Sequence, residues 1–437
     1  MPDQRFSDKL DDVSQHSSRN DEIRVARAFH DRTTHTPASV RTSGHTLDWD
    51  VKPLPFKIYA TLEPLSLPRE IQPIAVDTLV ALTSPSPPRA GSLTLSDVAA
   101  VLYYAAGVTK KKTYPGGGEV LFRAAASTGA LFQTEVYLAA GEVDGLASGL
   151  YHFCPGDFAL RRLRDGDVRA ALADAAADDS ISRRAATIVL SAMYWRNTWK
   201  YESRGYRHLF WDSGTMLANL LACGDAMGLA PRVLTGFVDT AVNRLLGLDA
   251  RHEAALELVP LGPETAVAPV ARALPPIQLD VVPLSSSEVD YPALRDMHEA
   301  SMLDSAAAVD HWRTGRLDDA SPRSRSSGRT VAAHDREGNR SSAVEAHLVP
   351  LPAATREAGR GLGDTIQRRG STREFGEAPL SLLELATTLW CATRPWDSDA
   401  PSGLVDVFLV ANAVDGLTPG AYRYRPDAHA LEIVREG

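Results

Sequence analysis

The sequence predicts an α+β fold, with a mainly antiparallel sheet, flanking helices and one long central helix, built twice in tandem with the second copy incomplete. The first observation is a repeat. Residues 136–166 (VYLAAGEVDGLASGLYHFCPGDFALRRLRDG) lie without a gap on residues 407–437 (VFLVANAVDGLTPGAYRYRPDAHALEIVREG). Both carry V-D-G-L, then a glycine, an aromatic pair, a proline and A-L. A gapless match of that length marks one structural unit used twice. The second observation lies upstream, where residues 93–107 (LTLSDVAAVLYYAAG) resemble 380–393 (LSLLELATTLWCAT), so one helix pattern precedes both copies. The third is the order of strand and helix patterns that follows it. The second copy stops at Gly437, where the first runs on for roughly another hundred residues.

Taken in order, residues 1–20 are polar and read as a disordered lead. Residues 21–31 have helical spacing, with Ile23, Val25, Ala26 and Phe29 apolar. Residues 41–68 are punctuated by proline and extended, with Trp49, Phe56 and Tyr59 as packing anchors. Residues 94–106 form an amphipathic helix whose Thr94 and Asp97 are spaced as a capping box. Residues 110–114 and 116–118 read as a basic, glycine-rich loop. Strands follow at 133–140 and 149–153, a turn at Asp165-Gly166, a helix at 168–177 and a buried strand at 185–194. One long helix covers 203–228, with Leu209, Phe210, Leu217, Leu220 and Leu221 on its apolar side, and Gly228 ends it. A short helix at 241–246 and a closing strand at 254–261 complete the unit. Residues 270–364 read as a linker with one helix near 291–313 and a low-complexity, mobile patch at 321–330. The domain boundaries are thus an N-terminal extension at 1–68, a complete domain at 69–270, a linker at 271–362 and a partial second domain at 363–437.

Composition narrows the function. The chain has 437 residues, 44% hydrophobic and 23% charged, the balance of a globular enzyme. A net charge of −9 argues against nucleic acid or an anionic membrane as main partner. No apolar run approaches the ~20 residues of a membrane helix. Cys154, Cys223 and Cys391 are too scattered for a disulfide framework or a zinc site, so no metal is expected and a reducing cytoplasm is the expected setting.

Three segments carry chemistry. The first is Arg123 to Leu131 (RAAASTGAL), where small residues let a backbone approach a flat ligand and Ser127 and Thr128 supply donors. By spacing alone it also reads as a loop before a strand. The second, RRGSTREF, holds Arg368, Arg369, Ser371 and Arg373, a set that suits a phosphate. In isolation it also reads as a solvated basic turn. The third, at 195–214 (WRNTWKYESRGYRHLFWDSG), places Lys200 and Tyr201 among aromatics, where a lysine can serve as base or donor. The alternative is helix surface over an aromatic core. Gly236, in LTGFVD, adds a turn after a buried strand.

Together, R-R-x-S-x-R-x-F, S-x-G-A-L before E-V-Y-L, D-G-L-x-x-G-x-Y, K-Y-x-x-R-G-Y-R and G-F-x-D-x-x-x-x-x-L-L-G-L-D resemble the nitroreductase superfamily. The closer resemblance is to its SagB/ThcOx branch of azoline dehydrogenases. It covers residues 93–262 fully and 363–437 in part. It implies a nitroreductase-like fold, a dimer or pseudo-dimer, and FMN bound between the halves. It further implies oxidation of thiazoline or oxazoline rings to thiazole or oxazole in a ribosomally made peptide, beside a cyclodehydratase or other peptide-modifying partner. By the same resemblance Lys200 and Tyr201 are the catalytic pair. Ser127, Thr128, Gly129 and Ala130 match the loop on the ring side of the cofactor, and Arg123, Leu131 and Gly236 are further cofactor-binding candidates. Arg368, Arg369, Ser371 and Arg373 lie on the phosphate side.

The two copies depart from that pattern in complementary ways. Copy one has ALTSPSPP at 81–88, with no basic residue, where copy two has its arginine segment. Copy two has Ser398-Asp399-Ala400 where copy one has Ser127-Thr128-Gly129. One chain would then build one complete FMN site from two unequal copies, with homodimerisation left open. Two other functions compete: a nitroreductase or other small-molecule flavin enzyme using NAD(P)H, and a non-catalytic scaffold of a peptide-modifying complex.

Overall fold

The computed structural model describes residues 21–84, 86–115, 118–265, 267–270, 274–319, 348–400 and 403–437. The disordered lead expected at 1–20 and the mobile patch expected at 321–330 lie outside these residues. Strand β4 (Thr134–Ala140) is buried at every position and sits inside a six-stranded sheet. The other strands are β1 (Pro64–Ser66), β5 (Gly149–Cys154), β6 (Ala159–Asp165), β7 (Arg184–Met193) and β8 (Glu253–Glu264), in the order β1-β6-β5-β4-β7-β8. Every pairing is antiparallel. Between β1 and β4 the chain forms a hairpin, β2 (Val108–Thr113) with β3 (Glu119–Arg123). The basic segment read as a loop is therefore mostly this hairpin, across which Lys111 and Glu119 pair at 2.6 Å.

Both faces of the sheet are covered. On one face α3 (Leu95–Ala106) and the long α6 (Gly205–Ala226) pack Val98, Leu102, Met216 and Leu220 against Val136, Leu138, Ile188 and Leu190. On the other, α4 (Arg169–Ala176) and α7 (Asp239–Leu246) pack Leu172, Val242, Leu245 and Leu246 against Tyr137, Ala139, Val189 and Leu258. Before these come α1 (21–33) and the short α2 (Thr78–Thr83). Between β7 and α6 runs α5 (Tyr194–Tyr201). Of the expected anchors Tyr59 is buried and Phe56 half-buried, but Trp49 is exposed and meets Trp199 edge-on at 5.3 Å.

The segment read as one helix near 291–313 is two, α8 (Pro292–Glu299) and α9 (Ala306–Asp319). Asp239 splits them: its Oδ2 accepts from Leu303 N at 2.7 Å while its own N–H donates to Leu303 O at 3.1 Å. These bonds draw the Leu303 amide and carbonyl out of helical pairing.

A second sheet has the order β9-β12-β11-β10, from β9 (Leu348–Pro350), which precedes α10 (Leu362–Arg368) and α11 (Leu382–Ala392), and β10 (Val407–Ala411), β11 (Gly420–Arg425) and β12 (Ala430–Glu436), which follow them. Its details echo the first unit. Thr94–Asp97 and Ser381–Glu384 form capping boxes at equivalent helix starts. Tyr151 Oη donates to Ala147 O at 2.7 Å, and its equivalent Tyr422 Oη donates to Thr418 O at 2.5 Å. One difference is large. Tyr137 and Ala139 of β4 are buried, but their equivalents Phe408 and Val410 are 63% and 72% exposed. Among the described residues β10 pairs only with β11, whereas β4 has β5 and β7 on either side.

The first unit also buries charge. Lys57 Nζ lies 2.6 Å from Glu253 Oε2 and 2.8 Å from Tyr137 Oη, and Ser191 Oγ donates to Glu253 Oε1 at 2.6 Å. Arg196 Nη1 stands 2.5 Å from Glu135 Oε1, and His152 Nε2 lies 2.8 Å from Glu135 Oε2. Among the described residues Glu257 has no such cation. Its Oε1 accepts from Ser213 Oγ at 2.7 Å, its Oε2 has no partner among the described residues, and burial raises its pKa from 4.5 to about 8. The folded state thus holds a proton that the unfolded chain releases. This favours folding below pH about 4.5 and is lost as the pH climbs to about 8. Glu257→Gln should remove that loss, on the order of 3 kcal/mol, so its urea midpoint should fall less between pH 5 and pH 8 than the wild type's. Parallel declines in the two proteins would show that Glu257 titrates normally.

Candidate active site

The site forms where β3 runs into the loop at 124–131. Gly129, Ala130 and Phe132 take positive φ values of 66°, 56° and 53°. Left-handed backbone costs an L-residue about 1–2 kcal/mol, so another group must hold this loop. That group is Asp212 on α6. Its carboxylate accepts from Ser127 Oγ at 2.5 Å, from Thr128 Oγ1 at 2.7 Å and from Thr128 N at 2.9 and 3.0 Å. Ser127 Oγ in turn accepts from Phe132 N at 2.8 Å. The hydroxyls of Ser127 and Thr128 therefore face α6, and the loop presents exposed Gly129 and Ala130 outward. Leu131 is buried among Met193, Trp195 and Trp199.

Lys200 and Tyr201 close α5 rather than open the long helix, which starts at Gly205. Tyr201 lies directly on the loop: a Cβ placed on Gly129 would stand 2.8 Å from Tyr201 Oη. Lys200 Nζ lies 5.5 Å from the centre of the Tyr201 ring. Burial, and then the Asp212 charge, raise the Tyr201 pKa, so its phenol stays protonated at neutral pH. The edge of the same ring meets His208 at 4.5 Å between centroids, with Nδ1 of His208 2.9 Å from Asn197 Oδ1. Burial pushes His208 down to about 4, which leaves the imidazole neutral.

The arginine segment reaches this place from the other unit. Arg369 donates from Nε to Ala124 O at 3.1 Å and from Nη2 to Arg123 O at 3.3 Å. Arg368, Ser371 and Arg373 are exposed beside it. Arg123 itself points inward. It donates to Pro55 O at 2.6 Å, stacks on Phe56 and Phe132 at 5.1 and 4.8 Å, and is lowered by burial to about 10. Gly236 is not in this group: its N–H donates to Asp399 Oδ2 at 3.0 Å.

Sequence reading missed Asp212 and His208. Both are buried on α6, while Phe210 and Trp211 between them are 42% and 53% exposed. The available signal was the run HLFWDS, in which polar His208 and Asp212 hold the inner face of the helix and Phe210 and Trp211 hold the outer one. Among the described residues no group of three or more His, Cys, Asp or Glu could hold a metal ion, and no helix is long and apolar enough to cross a membrane.

Comparison with known proteins supports this reading of the fold. Residues 99–262 match the nitroreductase family. A Methanocaldococcus jannaschii protein named as a nitroreductase, MJ1384, is 28% identical over 171 residues, 39% of this chain and 81% of that protein. The microcin B17-processing protein McbC of Escherichia coli is 28% identical over 152 residues, 33% of this chain and 52% of McbC, so the match spans about half of that relative. A solved structure from Anabaena variabilis, also named as a nitroreductase, superposes with a TM-score of 0.64 at 23% identity, covering 94% of this chain and 79% of the other. The antiparallel sheet with its flanking helices is thus a nitroreductase-like fold.

Proposed function

We propose that the chain is an FMN-dependent dehydrogenase that oxidises thiazoline or oxazoline rings in a ribosomally made peptide. The observation that carries this reading is one juxtaposition. Tyr201 rests on Gly129, and Arg369 from the second unit grips the carbonyls at the start of the same loop. The residues fit such a cofactor. Gly129 and Ala130 offer an open, small-residue surface to a flat ring, and Arg368, Ser371 and Arg373 offer exposed donors to a phosphate. FMN, when bound, accepts the hydride. Asp212 holds the ring-side loop in its left-handed turn. Tyr201 donates a hydrogen bond, and the Lys200–Tyr201 pair takes the proton that aromatisation releases. Similarity to McbC, a microcin B17-processing protein, favours a peptide substrate and peptide-modifying partners. Similarity to the M. jannaschii protein keeps reduction of small molecules with NAD(P)H as the second reading. Steady-state NADPH oxidation without azoline turnover would select that one.

The cofactor test is direct. Cofactor released by heat should chromatograph as FMN, since the sequence has no G-x-G-x-x-G turn for a pyrophosphate. An arginine–phosphate contact contributes ~1.5–3 kcal/mol, so Arg368→Ala or Arg373→Ala should weaken FMN roughly ten- to a hundredfold in fluorescence titration. Recovery of FAD, or unchanged affinity in both Arg368→Ala and Arg373→Ala, would overturn the assignment.

A further inference from the structure

The two units face each other around a pseudo-two-fold axis. Thr78 and Thr365 are equivalents in the repeat, each in a D-T-[LI] run, and their hydroxyls touch at 2.7 Å. Residues that meet their own equivalents mark the place where a two-fold passes. On one side of it lies the Ser127 loop with Arg369. On the other, the second unit's loop at 397–400 meets the first unit's turn at 233–236. Asp399 N donates to Val233 O at 3.1 Å, and Val233 N donates to Asp397 O at 2.9 Å.

Asp399 is the repeat equivalent of Thr128, and it does something different. Its carboxylate accepts from Thr235 N at 2.8 Å, Thr235 Oγ1 at 3.1 Å and Gly236 N at 3.0 Å, with only 2% of the side chain exposed. Arg313 of α9 lies 3.3 Å from the same carboxylate and donates to Gly236 O at 2.9 Å and Ala177 O at 3.2 Å. The Trp312 ring packs on the same turn: a Cβ on Gly236 would stand 2.7 Å from its ring carbons.

We propose that Trp312, Arg313 and Asp399 fill the pseudo-symmetric counterpart of the flavin pocket, with the Asp399 carboxylate as a built-in anion on the Thr235 and Gly236 amides. The chain then takes up one flavin, not two. A buried carboxylate on two amide N–H groups and a guanidinium is a charge-assisted cluster that a weak ligand does not displace. The flavin count rests on the function proposed above; the plug does not.

The plug is tested by anion rescue on the full chain. Asp399→Ala leaves the two amides and Arg313 facing an empty space the size of a carboxylate. Its melting temperature should drop by several degrees and recover saturably with acetate at constant ionic strength, while the wild type does not respond. If Asp399→Ala fails to fold, Asp399→Ser is read by the same titration. A folded variant indifferent to acetate would overturn the plug. So would two flavins per wild-type chain at saturating FMN. A chain that binds no flavin would sink the functional reading, yet the acetate titration would still decide the plug.

Discussion

Lys200→Ala and Tyr201→Phe should each retain flavin and lose azoline oxidation by about 10²-fold or more, the usual contribution of a positioned general base or acid. The two side chains end α5 beside the loop at 127–131, and Lys200 Nζ stands 5.5 Å from the Tyr201 ring. Neither touches the arginine segment in any described hydrogen bond. Tyr201→Phe keeps the ring that packs on Gly129 and His208 and removes only the hydroxyl, so loop geometry and flavin absorbance should survive. The measurements are flavin occupancy, from the visible spectrum, and turnover on a synthetic azoline peptide. Loss of flavin in step with activity would make the pair structural instead.

The largest stability effect should come from Lys57→Ala. Lys57 and Glu253 form a nearly dry ion pair at 2.6 Å, their side chains 5% and 4% exposed. Burial alone would lower the lysine pKa, but the Glu253 charge and hydrogen bond more than offset it. Removing one partner strands the other charge in a medium that solvates it poorly, a cost of about 3–5 kcal/mol. Urea denaturation should show that loss in Lys57→Ala. The double variant Lys57→Met, Glu253→Gln should lose less, because the Gln oxygen still accepts from Ser191 and no charge remains unpaired. A loss under about 1 kcal/mol in Lys57→Ala would mean that the pair is solvated in solution.

What the sequence determined by itself is local or periodic. Capping at Thr94, the buried runs of β4 and β7, the length of α6 and the gapless repeat all rest on spacings of a few residues. Backbone geometry converts such spacings into structure without outside help. The segments of the site were legible for the same reason, since RAAASTGAL, RRGSTREF and the Lys200–Tyr201 pair are unusual as short strings.

Tertiary structure decided which way those segments face. Ser127 and Thr128 read as ligand donors because a hydroxyl's partner is not written beside it; folding supplied Asp212 from another element. Gly236 read as part of the same pocket, yet its amide is taken by Asp399 of the second unit. Lys57 gave no signal at all, because a lysine in an extended segment is ordinary until Glu253 is brought against it away from water. In each case the energy lies in a pairing between distant positions. Its strength depends on burial and on which faces meet, and only the folded chain sets those.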